Sequence, residues 1–126
     1  MPDPWDNKQP IYKQLRDRVA DLIMDGAIAE GDAVPSVRQV SAEQKINHIT
    51  VAKAYQELVD EGVLVMRRGL GMFVLDGARK KLIIAERTKF KEFEVPALFE
   101  RLTHLGLSIS ELQAALKEID RTKKSK

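Results

Sequence analysis

Two short helical patterns lie close together in residues 35–74 of this 126-residue chain, separated by a turn of about three residues that ends at Asn47. Ser36, three residues before Gln39, is typical of a helix start, because the hydroxyl accepts a hydrogen bond and the glutamine reaches back. Asn47 is suited to cap a second helix that runs to about Asp60. A helix-turn-helix requires such a short connection, so this spacing constrains the possible fold strongly.

A β-hairpin is predicted directly after the two helices. Residues 63–66 and 72–75 are short apolar runs rich in β-forming residues, and the residues between them read RRGLG. Gly69 and Gly71 permit the positive φ angles that a tight hairpin requires. A second helix on a stiff two-helix corner fits the DNA major groove, and a neighbouring hairpin reaches the backbone or the minor groove. The pattern therefore indicates a winged helix-turn-helix.

An amphipathic helix is predicted ahead of this motif, over residues 9–25. Its apolar residues recur at spacings of three and four and form one stripe, made of Ile11, Leu15, Val19, Leu22 and Ile23. The inward stripe predicted for the helix after Asn47 consists of Val51, Ala54, Tyr55 and Leu58. Trp5 precedes the first helix, and we expect it to cover the hydrophobic core.

Long helical patterns fill residues 77–126. Pro96 interrupts them by a kink or a restart, and Ser108 with Glu111 forms a second capping box. This region has too much apolar surface for a free linker and too little mass for a separate ligand-binding domain. Helices that cannot bury their apolar stripe alone usually pair with a second copy, so we expect a homodimer. The candidate dimerisation residues are Phe90, Phe93, Leu98, Phe99, Leu102, Leu112 and Leu116.

Some of these aromatic residues could instead line a pocket for an unknown small-molecule effector at the dimer interface. The fold class we predict is mainly α with a small β-hairpin wing, an α+β protein in two parts. A winged helix-turn-helix domain is expected over residues 1–76, and a short C-terminal helical dimerisation region over residues 77–126.

The distribution of charge leaves two functions open. Residues 1–76 carry 9 basic and 12 acidic side chains and residues 77–126 carry 12 and 7, so the net charges are −3 and +5. A negative first part argues against DNA, because neutralisation of phosphates supplies much of the affinity. A winged helix that binds another protein, without sequence-specific DNA binding, is therefore the alternative. A protein-binding wing would not require the basic residues clustered in the motif, which are Arg38, Lys45, Lys53, Arg67 and Arg68.

No catalytic, metal or membrane function is indicated. Cysteine is absent, which excludes disulfides and thiolate metal sites, and neither His48 nor His104 has a partner at the spacing of a metal motif. No catalytic set or phosphate-binding loop occurs, so we expect no enzyme activity, no metal and no cofactor. No apolar run is long enough for a membrane span or a signal peptide, so we expect a cytoplasmic protein.

Three motifs in order along the chain resemble the GntR family of bacterial transcriptional regulators. They are PSVR at residues 35–38, TVAKAYxxLxxEGxL at residues 50–64 and RRGxGxFV at residues 67–74. The sequence LGLSxxEL at residues 105–112 resembles the YtrA subfamily in particular. The resemblance implies a homodimer that binds a pseudo-palindromic double-stranded DNA operator. It also implies repression of operons that include membrane transporters.

The same resemblance assigns DNA-binding roles to individual residues. It implies that Arg38 contacts DNA from the second helix, that Lys53 faces the DNA backbone, and that the wing glycines approach the minor groove. The candidate DNA-binding residues are Ser36, Arg38, Asn47, His48, Ile49, Thr50, Lys53, Arg67, Arg68, Gly69 and Gly71. His48 and Ile49 depart from the residues that many relatives carry, so we expect an operator that differs from the family's commonest sites.

Several of these residues also have a simpler interpretation. Arg38 could be a solvated arginine or a partner of Glu43, although their spacing of five is poor for a helix. Thr50 could donate to a local carbonyl, and Lys53 could be a solvated lysine. The wing arginines could merely flank a hairpin turn.

Overall fold

The computed structural model of the protein describes residues 8–124, so Trp5 and the role expected of it lie outside the described residues. The chain divides into two units, of which the first ends at Ala85 and the second begins at Glu86. The elements of the first unit are α1 (Ile11–Met24), α2 (Val37–Gln44), α3 (His48–Asp60), β1 (Leu64–Arg67), β2 (Gly71–Val74) and the first part of α4 (Ala78–Lys89). The predicted fold class, mainly α with a two-stranded wing, is confirmed.

The helix starts predicted from capping residues are present. Ser36 Oγ accepts a hydrogen bond from the Gln39 amide at 3.0 Å, and Asn47 Oδ1 accepts one from the Ile49 amide at 2.8 Å. The reciprocal half of the first capping box is wrong. The Gln39 side chain donates to Glu43, one turn further along α2, at 3.2 Å. The charge of the Glu43 carboxylate strengthens this hydrogen bond from the Gln39 amide nitrogen, and the bond orients the side chain along α2.

The predicted inward stripe of α3 forms the centre of the hydrophobic core. Its four residues are at most 1% exposed and pack with buried residues of α1, the hairpin and the start of α4. The α1 stripe is confirmed for Leu15, Val19 and Ile23, which are buried and spaced by four residues. Ile11, the first residue of the helix, and Leu22, at the edge of the stripe, are both exposed instead.

Two polar contacts hold α1 and the start of α2 against α3. Arg16 on α1 is buried; its Nε donates to Glu61 at the end of α3 at 2.9 Å, and its Nη2 donates to the second oxygen of the same carboxylate. The hydroxyl of Tyr55 on α3 donates to the carbonyl of Pro35, just before α2, at 2.6 Å. Both contacts satisfy polar groups inside the fold, which is the condition for burying them without a large penalty.

The wing is an antiparallel pair in which Leu64 lies opposite Val74 and Arg67 lies opposite Gly71. Compared with the predicted runs, β1 is shifted one residue towards the tip, and β2 also begins one residue nearer to it. Gly69 and Gly71 have φ angles of 78° and 112°. Because glycine tolerates this left-handed region, the ladder extends to Gly71 and the hairpin closes over three residues.

The first turn of α4 is tied to α1 and to the segment that joins α1 with α2. Arg79 Nε donates to the carbonyl of Met24 at 2.7 Å, and the Arg79 amide donates to the Glu30 carboxylate at 3.1 Å. Hydrogen bonds from the backbone amides of Gly77 and Arg79 lower the pKa of the Glu30 carboxyl.

The second unit contains the rest of α4, a π-helical segment (Phe90–Glu94), α5 (Val95–Leu105) and α6 (Ile109–Lys124). The Val95 amide donates to the carbonyl of Phe90, five residues earlier, immediately before Pro96. Proline lacks an amide hydrogen and crowds the preceding turn, so this wider turn accommodates it without a break in the helical chain. Ser108 and Glu111 exchange both hydrogen bonds of the predicted capping box, at 3.1 and 2.7 Å.

Apolar surface remains exposed along the second unit. The predicted dimerisation residues that are exposed in the single chain are Phe90, Phe93, Leu98, Phe99 and Leu116. Leu112 is half-buried, and Leu102 is buried with 7% of its surface exposed. Leu102 therefore packs within its own chain and has little surface left for a partner, whereas the exposed residues retain theirs.

Candidate nucleic-acid interface

The first turn of α3 presents polar and apolar side chains to solvent. Asn47 caps this turn through the Ile49 amide, and His48 and Ile49 are exposed while Thr50 is half-buried. The residues that open the second helix of a helix-turn-helix are those that meet base edges in the major groove. The Asn47 cap fixes the start of α3, on which His48 and Ile49 are exposed.

An open groove of about 570 Å³ lies between α2 and this first turn. It is lined by Val37, Arg38, Ser41, Ala42 and His48. The fold thus brings Arg38 and His48, which are ten residues apart in sequence, to the same groove. The Ser36 hydroxyl accepts the Gln39 amide at the start of α2, so its first role is to cap the helix that carries Arg38.

Arg38 does not pair with Glu43. The Glu43 carboxylate accepts a hydrogen bond from Gln39 instead, and Arg38 is exposed. Neither the side chain of Arg38 nor that of His48 makes a hydrogen bond or an ion pair with any residue between 8 and 124. An arginine whose five donors find no acceptor within this part of the chain is available for an external anion or base edge.

Lys53 lies one turn and a half along α3, and its ammonium group is 4.1 Å from the centre of the Tyr12 ring on α1. It is exposed on its other sides. Lys53 does not line the groove between α2 and α3. The Lys53 ammonium group is therefore held against an aromatic face and is not a fully solvated cation.

The wing presents its own cations. The Arg67 guanidinium stacks 4.7 Å from the centre of the Phe73 ring on the opposite strand. Arg68, Gly69 and Leu70 form the exposed tip. Glycines at the tip allow close approach of the backbone to a ligand, and two adjacent arginines supply donors for phosphates.

Internal contacts engage several of the acidic side chains that make residues 1–76 negative. Glu61 and Asp17 both bind Arg16. Glu57 binds Lys13 at 3.3 Å, and the hydrogen bond and charge of Glu57 raise the pKa of Lys13. These three acidic and two basic side chains offset each other in part, and the net charge of −3 for residues 1–76 already includes them.

Sequence reasoning missed Tyr12 and Phe73, whose rings position two of the predicted DNA-binding cations, and it missed Arg16. A signal for the wing pair existed, because Phe73 lies opposite Val65 and is therefore a diagonal neighbour of Arg67 on the same face of the hairpin. No comparable local signal existed for Tyr12 and Lys53, which lie on different helices.

Two other site classes receive no support from the described part of the chain. Residues 8–124 contain no group of three or more His, Cys, Asp or Glu side chains that could hold a metal ion. Within the same residues, no helix is both long and apolar enough to cross a membrane.

Similarities to known proteins agree with this geometry. Residues 11–74 match the family model of the bacterial regulatory proteins of the gntR family. The transcriptional repressor YtrA of Bacillus subtilis strain 168 is 33% identical over 110 residues, which are 87% of this chain and 84% of that protein. A crystal structure of a GntR-family regulator from Bacteroides thetaiotaomicron is 33% identical, with a TM-score of 0.72 over 90% of this chain and 99% of that chain.

A third similarity is to the DNA-binding domain of AraR, solved in complex with operator ORX1. It is 25% identical, with a TM-score of 0.53 over 59% of this chain and 90% of that chain. The family model alone covers half of the sequence, and the similarity to YtrA extends well beyond it into the C-terminal helices. The chain therefore belongs to the GntR family of DNA-binding transcriptional regulators, in its YtrA subfamily.

Proposed function

We propose that the protein is a homodimeric repressor that binds a pseudo-palindromic operator. The observation that carries the proposal is the α2–α3 groove, where Arg38 and His48 lie together, exposed and without a partner among the described residues. In this proposal residues 1–76 bind DNA, with α3 in the major groove and the wing at the backbone or minor groove. Residues 77–126 join two copies through their exposed apolar side chains.

The proposed mechanism is steric. A two-fold dimer presents two copies of α3 that enter the major groove about one helical turn of DNA apart, so the operator is expected to consist of two half-sites at that spacing. Occupation of a site near a promoter then blocks transcription. Arg38, with a planar guanidinium, is suited to bind the O6 and N7 acceptors of a guanine, and Lys53 and the wing arginines to bind phosphates.

Similar proteins support two parts of the proposal, namely that the ligand is operator DNA and that binding represses transcription. The AraR domain was solved with operator DNA bound, and the YtrA protein of Bacillus subtilis is named as a repressor. Regulation of a transporter operon is the finer part of the proposal, taken from the resemblance to the YtrA subfamily. The first DNA to test is therefore the sequence upstream of the protein's own operon.

Fluorescence anisotropy at two salt concentrations tests the proposal. We expect tight binding to the upstream DNA that survives excess competitor DNA and weakens steeply as salt rises, because binding releases counterions from phosphates. Footprinting of the complex should then show two half-sites. The opposite result is weak binding that competitor DNA removes, both on this DNA and on genomic fragments selected by the protein. That result would favour a winged helix that binds another protein.

A further inference from the structure

Ile49 is an exposed apolar residue at the position best placed to meet a base. It is the second residue of α3, its amide is held by the Asn47 side chain at 2.8 Å, and its side chain is 68% exposed. Its neighbours in sequence, His48 and Thr50, are polar. A large aliphatic side chain left in water at the tip of a helix forgoes the stabilisation that burial would give it, so Ile49 keeps its apolar surface for contact with a ligand.

The chemistry of the major groove limits what Ile49 can contact there. Every base pair presents hydrogen-bond donors and acceptors in that groove, and thymine adds a C5-methyl group, which is the distinct apolar feature there. An isoleucine offers neither donor nor acceptor. We propose that Ile49 packs against the C5-methyl group of a thymine in each operator half-site, an inference that rests on the proposed function.

The residues near Ile49 are suited to hydrogen-bond the neighbouring bases while Ile49 makes the apolar contact. Arg38 and His48 line the adjoining groove and supply the hydrogen-bond donors, so Ile49 adds an apolar contact beside a polar one. A β-branched side chain within a helix is restricted to essentially one rotamer. It therefore loses little conformational freedom when it meets the methyl group, unlike a long polar side chain at the same position.

Replacement of thymine by deoxyuridine isolates the proposed contact, because it removes the methyl group and leaves the hydrogen-bonding edge unchanged. Operator duplexes are prepared with one symmetric pair of thymines replaced at a time, and their affinities are measured by anisotropy. We expect one pair of positions at which binding weakens about fourfold per half-site, which corresponds to about 0.8 kcal/mol for a buried methyl group. Thymines elsewhere in the footprint should show a smaller change.

The Ile49→Ala variant completes a cycle with the DNA methyl group. It should bind the unmodified operator more weakly, and the deoxyuridine pair that weakens wild-type binding should have little further effect on it. Leu22→Ala is the matched control, because Leu22 is also an exposed aliphatic residue of the first unit but lies on α1. That variant should keep the full sensitivity to the methyl group. Thermal unfolding verifies that both variants fold.

The outcomes separate this inference from the proposed function. A specific complex that is indifferent to deoxyuridine at every thymine, or equally sensitive in Ile49→Ala and wild type, would overturn the role of Ile49 and leave the regulator intact. Failure to form any competitor-resistant complex would overturn the proposed function and this inference together. That failure is recognised with unmodified DNA, before any deoxyuridine duplex is used.

Discussion

The ammonium group of Lys53 on α3 lies 4.1 Å from the centre of the Tyr12 ring on α1. The Lys13 ammonium is 5.7 Å from the same ring centre and 3.3 Å from the Glu57 carboxylate. A cation over an aromatic face is attracted by the quadrupole of the ring, so Tyr12 narrows the range of positions that Lys53 adopts. The first helix thereby influences a residue that we propose to contact DNA.

Loss of the Tyr12 ring should weaken operator binding through Lys53. We expect Tyr12→Leu to reduce affinity about two- to fivefold, because an exposed cation–π contact contributes about 0.5–1 kcal/mol. Tyr12→Phe keeps the ring and should bind like the wild type. Anisotropy on all combinations with Lys53→Met forms a double-mutant cycle. An equal effect of Tyr12→Leu in the wild-type and Lys53→Met proteins would show that the ring does not act through Lys53.

Removal of the Arg38 guanidinium should weaken operator binding more strongly. If Arg38 binds a guanine with two hydrogen bonds, Arg38→Ala should cost about 1–3 kcal/mol and relax discrimination at that one base pair. Affinities for the operator and for its single-base variants measure both effects. Arg18→Ala, which removes an exposed arginine from α1, is the control and should change neither. Undiminished affinity in the Arg38 variant would remove the role proposed for it.

Much of the winged helix followed from local rules in the sequence. Ser36 and Asn47 start helices because their side chains replace missing hydrogen bonds of the first turn, and the inward stripe of α3 follows from its period. The capping box at Ser108 and Glu111 was equally predictable, since both of its hydrogen bonds join residues three apart. Local chemistry decides these features, so one sequence is enough to find them.

Features that depend on the packing of separate elements could not be predicted in the same way. Arg16 and Glu61 are 45 residues apart, and their contact exists because α1 lies along the end of α3. The spacing of Leu102 matches that of its exposed neighbours and predicts a place at the dimer interface, yet Leu102 is buried in its own chain. Periodicity identifies an apolar face, but it does not say which part of that face the same chain already covers.

The contact between Arg16 and Glu61 leads to a prediction about stability. Arg16→Met should lower the free energy of unfolding by about 1–2 kcal/mol, because it removes charge-assisted hydrogen bonds to a Glu61 side chain that is still 35% exposed and therefore partly screened. Urea unfolding followed by circular dichroism measures the change. Arg68→Met, at the exposed tip of the wing, is the control, and equal losses in the two variants would contradict a special role for Arg16.

Burial of Tyr55 should make stability fall at alkaline pH. Burial raises the pKa of its hydroxyl from 10.0 to about 12, so between these values the unfolded chain loses the proton while the folded chain keeps it. The contribution is fully present below pH 10, and it is lost as pH rises towards 12, by at most about 1.4 kcal/mol per pH unit.

Comparison of the wild type with Tyr55→Phe isolates this effect. At neutral pH the variant should be about 1 kcal/mol less stable, because the Pro35 carbonyl loses its hydrogen bond. Between pH 10 and 12 it should lose less stability than the wild type, since it has no hydroxyl to ionise. Tyr12→Phe, at a half-buried tyrosine, is the control. A Tyr55→Phe curve parallel to that of the wild type would rule out the proposed titration.

Charges introduced into the exposed apolar surface of the second unit should separate the proposed dimer. Phe93 and Phe99 are 68% and 57% exposed. If such a ring is buried between two copies, its replacement by Glu would bury an unpaired carboxylate at the interface, which is strongly unfavourable. In sedimentation experiments the wild type should have the mass of a dimer, and Phe99→Glu should shift the mass towards that of a single chain, 14.2 kDa.

The affinity of Phe99→Glu for operator DNA distinguishes a loss of dimerisation from a loss of folding. A monomer binds one half-site at a time, so Phe99→Glu should bind the full operator weakly and with an affinity close to that for a single half-site, whereas the wild type gains from both. Lys117→Glu introduces a carboxylate at an exposed polar position of α6 and should remain dimeric. Because Phe99 is exposed in the single chain, its replacement should leave the unfolding of the winged domain unchanged. A Phe99→Glu protein that still sediments as a dimer and binds the full operator tightly would place the contact between copies elsewhere on the chain.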